Sequence, residues 1–96
     1  MKVLKSPFLN GLPMKYSAKI EVSLKPGHID PEGETTARLL QELGYAVDAI
    51  NVSKLYTILL EAETASEAEV KAQEMCKRLL ANPIKDNYTI TIEEQK

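Results

Sequence analysis

The 96-residue sequence predicts a two-layer α+β sandwich in β-α-β-β-α-β order, with a mostly antiparallel four-stranded sheet and two helices on one face. Three observations carry that expectation. Apolar and polar residues alternate strictly in one segment near the start and another near the end. Two intervening segments have helical spacing and open on capping side chains. Two further β-prone runs are separated by only Ser53 and Lys54.

The first strand is expected over Tyr16 to Leu24, with Tyr16, Ala18, Ile20, Val22 and Leu24 on one face and Ser17, Lys19, Glu21 and Ser23 on the other. Pro26 and Gly27 end it, because proline lacks the ladder donor and glycine takes turn conformations. Asp30 and Pro31 mark a helix start: the carboxylate accepts from an orphan N–H, and proline suits the first helical position. Glu32 and Glu34 favour the positive dipole end, and Ala37, Leu39, Leu40 and Leu43 form an apolar stripe before Gly44 stops the helix. The runs Ala46 to Val52 and Leu55 to Ala62 then read as an antiparallel hairpin, although Ser53 and Lys54 supply no Gly or Asn for its turn. Ile58, Leu59 and Leu60 are apolar on both faces, so that strand asks for cover on both sides, by helices on one and another chain on the other.

Ser66 and Glu69 form a capping box opening the second helix, whose inner face carries Ala68, Ala72, Met75, Cys76, Leu79 and Leu80. Pro83 ends it, and the last strand runs from about Asn87 to Glu93, alternating Tyr88, Ile90 and Ile92 with Thr89 and Thr91. Residues 15–96 thus read as a single domain, preceded by an N-terminal extension over residues 1–14. Four strands leave two edges and an open face, which predicts a homodimer or tetramer.

Composition narrows the function. Apolar residues at 44% and charged residues at 27% predict a folded chain, not a disordered one. The formal charge of -2 comes from 12 basic and 14 acidic residues mixed along the chain, with no basic stripe to follow a phosphate backbone, so nucleic acid is not expected as a partner. No apolar run approaches the roughly 20 residues that span a bilayer, so no membrane partner is expected either. A single cysteine makes no intrachain disulfide and suits a cytoplasmic setting.

The residues for catalysis are sparse. His28, the lone histidine, reads as a solvated loop residue, and Cys76, on an apolar helix face, as a small buried hydrophobe. Neither GxxxxGK[ST] nor GxGxxG is present to cradle phosphates, and Asp30 with Glu32 supplies far fewer oxygens than calcium prefers. No catalytic, cofactor or metal residue is therefore expected in this chain. A stand-alone regulatory domain of the ACT kind, binding a small molecule, is the alternative from a different class.

Several segments in order resemble one family: Val22-Ser-Leu-Lys25, Asp30-Pro-Glu-Gly33, Leu43-Gly-Tyr45, Lys54 at the start of the third strand, and Met75-Cys-Lys-Arg-Leu-Leu-Ala-Asn-Pro83 followed by Tyr88. Over about Lys15 to Glu94 the chain is similar to PurS, the small subunit of phosphoribosylformylglycinamidine synthase. The resemblance implies a non-catalytic subunit in de novo purine biosynthesis. It would bridge a synthetase and a glutaminase subunit and support ammonia transfer, with ATP and Mg2+ on the synthetase. It also implies that Asp30, Pro31 and Gly33 shape the entry to the first helix, and that Leu79, Leu80, Asn82 and Pro83 fix the exit of the second. Lys25 and Lys54 are the polar candidates for a partner interface.

Overall fold

A computed structural model describes residues 14–95; the extension expected over residues 1–14 lies, apart from Met14, outside the described residues, as does Lys96. The elements are β1 (Met14–Leu24), α1 (Pro31–Glu42), β2 (Lys54–Ala62), α2 (Ala65–Met75), a π-helical turn (Cys76–Leu80) and β3 (Asp86–Glu94). The strands form one antiparallel sheet in the order β2-β1-β3. In β1, Ala18 lies between Ile58 and Ile92, and Ile20 between Tyr56 and Ile90, so apolar rows cross the sheet on one face.

That face is covered by α2, which packs against all three strands. Its contact residues are small: Ala68, Ala72 and Cys76 are fully buried, which lets the helix lie close on Ala18, Ile20 and Val22. A second cluster joins Tyr16, Ala62 and Ala68. The inward residues of the outer strands, among them Tyr56, Ile58, Tyr88 and Ile90, are only partly buried, because one narrow helix cannot shield three strands.

The structure corrects the sequence reading in four places. The sheet has three strands, not four, because Ala46 to Val52 forms no strand and the expected hairpin is absent. The backbone of that run is bound by α1 and its cap instead: the Gln41 amide donates to the Val47 carbonyl at 2.9 Å, and the Val52 N–H donates to the Asp30 carboxylate at 2.8 Å. With those groups taken, and no turn residue at Ser53 or Lys54 to reverse the chain, the segment returns alongside α1.

The second correction follows, since the helix layer contains α2 alone; α1 packs against none of the strands in the way α2 does and projects from the sheet end as an arm. Third, the capping box of α2 starts two residues earlier than expected. The Glu67 N–H donates to the Thr64 hydroxyl at 3.1 Å, and the Glu67 carboxylate accepts from the Glu63 N–H at 2.6 Å. Fourth, Leu79 is not on the inner face. The Ala81 N–H donates to the Cys76 carbonyl at 3.0 Å, a wider turn than an α-helix makes, which leaves Leu79 83% exposed while Leu80 stays half-buried.

Ile20 is the largest fully buried side chain, at the centre of this thin core. Truncation by Ile20→Ala is expected to lower unfolding free energy by about 3 kcal/mol, from lost apolar transfer plus the cavity left behind. Urea denaturation checks this, and a loss below about 1 kcal/mol would place the stabilising core elsewhere.

Candidate interaction surface

Two regions carry the residues singled out in the sequence. The first is the end of the sheet where β1 leaves, the arm begins and returns, and the turn before β3 passes. Asp30 caps α1 by accepting from the Gly33 N–H at 2.9 Å, while its other oxygen accepts from Val52. Pro31 fills the first helical position. Gly33 is buried against the returning segment so closely that a Cβ there would overlap the Ile50 carbonyl oxygen. At the far end of the arm Gly44, at φ 101°, closes the helix: its N–H donates to the Gln41 carbonyl and the Tyr45 N–H to the Leu40 carbonyl, the two bonds of a Schellman motif.

Lys25 follows β1 and ties this end to the turn before β3. Its N–H donates to the Lys85 carbonyl at 2.7 Å and its ammonium to the Pro83 carbonyl at 3.1 Å. The turn itself is held by Asn82, whose side chain accepts from the Ile84 N–H at 2.8 Å, and by Asp86, whose carboxylate accepts from the Asn82 N–H at 2.8 Å. Lys54 is exposed at the start of β2 and faces, with Leu80, Lys85 and Asp86, a cleft of about 240 Å³. The structure therefore brings Lys25, Asp30, Gly33, Lys54, Leu80, Asn82 and Pro83 to one end of the molecule, and sets Gly44 and Leu79 apart from it.

The second region is an apolar groove of about 500 Å³ between α2 and β2, walled by Ile58, Met75, Leu79 and Leu80 and rimmed by Lys71 and Arg78. Sequence reasoning missed it, since it assigned Leu79 to the core; the signal was present in the excess of apolar residues over what one short helix can bury. The opposite face of the sheet presents Leu55 and Leu59, 65% and 67% exposed, in line with the two-sided apolar pattern of β2.

Electrostatically the surface is mild. Two backbone N–H groups, from Val52 foremost and then Gly33, stabilise the ionised Asp30 and hold its carboxyl below the usual carboxylate range. Burial pushes the Cys76 thiol up, away from the thiolate form that reacts. His28 is exposed in the loop before α1. Among the described residues no three His, Cys, Asp or Glu side chains gather as a metal site. The arrangement supports docking through shape and apolar contact.

Because the folded pKa of Asp30 is depressed, its contribution to stability is present above the ordinary carboxylate range and is lost as pH falls from there through the lowered folded value. The thermal midpoint should therefore drop between about pH 5 and about pH 3, with a smaller drop in Asp30→Asn. Equal slopes in the two proteins would show that Asp30 is not among the carboxylates responsible.

Comparison with known proteins points one way. The family model described as PurS, phosphoribosylformylglycinamidine (FGAM) synthase, matches residues 17–94. The chain is similar to the phosphoribosylformylglycinamidine synthase subunit PurS of Methanocaldococcus jannaschii, 38% identical over 80 residues, covering 82% of this chain and 96% of that protein. It is similar likewise to that of Archaeoglobus fulgidus, 41% identical over 78 residues, covering 80% and 98%. Among solved structures, M. jannaschii PurS superposes with a TM-score of 0.77 at 35% identity, covering 84% of this chain and 99% of that one. A chain of the PurLQS structure from Thermotoga maritima superposes with a TM-score of 0.72 at 29% identity, covering 84% and 98%.

Proposed function

Because this chain belongs to the PurS family, we propose that it acts as the non-catalytic subunit of phosphoribosylformylglycinamidine synthase in purine biosynthesis, bridging a synthetase and a glutaminase subunit and supporting ammonia transfer between them. The observation that carries the reading is the match over nearly the whole described chain to proteins named as that subunit, one of them solved as PurLQS. The chemistry of the surface supports it. The only thiol is buried and held in its protonated form, while Lys25 and Asp30 at the arm root are engaged in holding backbone. ATP and Mg2+ belong, on this proposal, to the synthetase subunit. The cytoplasm is the proposed compartment, which a single unpaired cysteine suits.

The same proposal includes self-association. Leu39 and Leu43 on α1 are 50% and 73% exposed, and the groove beside α2 is the position a second helix would take in a two-helix layer. The arm is clamped at its root away from that groove, so the helix that fills it is proposed to be α1 of a second copy, in a reciprocal homodimer or within a tetramer.

Adding the purified chain to the synthetase and glutaminase subunits should restore glutamine-dependent amidine formation, with ammonia-dependent formation needing it less. Failure to restore it, together with saturable amino-acid or nucleotide binding by this chain alone, would reject the proposal. In sedimentation equilibrium the chain should be dimeric or larger at micromolar concentration, and Leu43→Glu should shift it towards monomer by at least about tenfold in dissociation constant, since a charge would enter an apolar contact. An unchanged constant would move the interface off α1.

A further inference from the structure

The arm leaves and rejoins the sheet at one place. Val22 and Lys54 are paired across β1 and β2, so everything between them, apart from Ser23 and Leu24, which still pair with β3, is an excursion from a single hairpin. Within that excursion α1 and the returning segment are tied at both ends. At the tip Gln41 donates to the Val47 carbonyl; at the root Gly33 abuts the Ile50 carbonyl and the Val52 N–H donates to Asp30. The arm is thus stiff in itself.

Its attachment is different. From Ser23 to Asp30 and from Asp48 to Lys54 no side chain is buried. Open clefts of about 580 and 530 Å³ lie beside the root, both lined by Asp30, in addition to the smaller one facing Lys54. Apolar cover at the root is slight, with Leu24, Ile50 and Val52 only half-buried, and the outgoing leg contains Gly27 at φ 91°, a natural pivot. The restraints are polar: the Asp30 bridge and an exposed bond from the Ser53 hydroxyl to the Glu21 carboxylate at 2.8 Å. With the legs joined by Asp30, both must bend together for the arm to swing. Unjoined, the outgoing leg at residues 26–29 and the returning leg at residues 51–53 bend independently.

We propose that Asp30 is a positioning residue: by bridging the Gly33 and Val52 amides it sets the direction in which α1 leaves the sheet, and so presents the apolar stripe of α1 to the neighbouring subunit. The effect on assembly rests on the self-association proposed above; the effect on the arm does not. Capping and clamping use different oxygens of the carboxylate, so they can be separated. Asp30→Ser keeps an N-cap acceptor for Gly33 but has no second oxygen for Val52. Asp30→Asn keeps one acceptor, which can serve Gly33 or Val52 but not both, so it too breaks the bridge.

Residual dipolar couplings of backbone amides read the direction of α1 against the sheet, and 13Cα shifts report whether α1 is still helical. In the wild-type chain one alignment should fit α1, α2 and the three strands. In Asp30→Ser α1 should stay helical with its couplings scaled to below about half, while those of the sheet and α2 are unchanged. The homodimer dissociation constant, by sedimentation, should rise about tenfold or more, as expected for a lost hydrogen bond to a charged group. Wild-type α1 couplings in Asp30→Ser would overturn the proposal, as would couplings already averaged in the wild-type chain. A wild-type chain that is monomeric throughout would reject the self-association alone, and the couplings would still decide the role of Asp30.

Discussion

Three strands and one helix to cover them is the constraint from which the rest of this molecule follows. Only β1, with a neighbour on each side and α2 above, buries its inward row completely: Tyr16, Ala18, Ile20 and Val22. The alanines and the cysteine that bring α2 close to β1 also make it narrow, so Ile58 on one side and Ile90 on the other are left half-covered. Apolar area gains roughly 25 cal/mol per Å² when removed from water, and this fold leaves such area available at the groove, on the outer face of β2 and along α1. A chain of this size thus keeps apolar surface uncovered in three separate places that its own elements cannot shield.

Much of this was legible in the sequence, and the exceptions share a cause. Both long alternating strands could be read because period-two patterning against one buried face is a local signal. So could the opening of α1 at Asp30 and Pro31 and its close at Gly44, since caps and left-handed glycines act within a few residues. Ala46 to Val52 misled because β-propensity describes side chains, whereas its backbone groups are taken by Gln41 and by Asp30, one of them 22 residues away. Leu79 misled because the spacing that put it inward assumes 3.6 residues per turn, and the turn from Cys76 to Leu80 is wider.

At the arm end of the sheet the sequence singled out residues that lie together in the fold, but not what each of them holds. Gly33 reads as part of a helix start; the approach of the Ile50 carbonyl, which demands glycine there, depends on a return path that no local pattern encodes. Lys25 reads as a polar candidate for a partner interface; its ammonium reaches the Pro83 carbonyl and its backbone N–H the Lys85 carbonyl, so it joins the arm end of the sheet to the turn before β3. Asn82 and Pro83 belong to that same turn, which links residues far apart in sequence to one corner of the molecule.

The body and the arm are therefore stabilised by different physics. The body is held by apolar burial, which is non-directional and tolerates small shifts of α2 over the sheet. The arm is held by a few directional hydrogen bonds at its root, where distance and angle decide everything and water stands ready to replace each partner. An outward apolar stripe such as that of α1 takes a defined angle only from contacts that have direction, and apolar packing alone has none. Directional bonds do: the Asp30 carboxylate fixes the Gly33 and Val52 amides at 2.9 and 2.8 Å, and Gly33 lets the Ile50 carbonyl come close where any Cβ would collide.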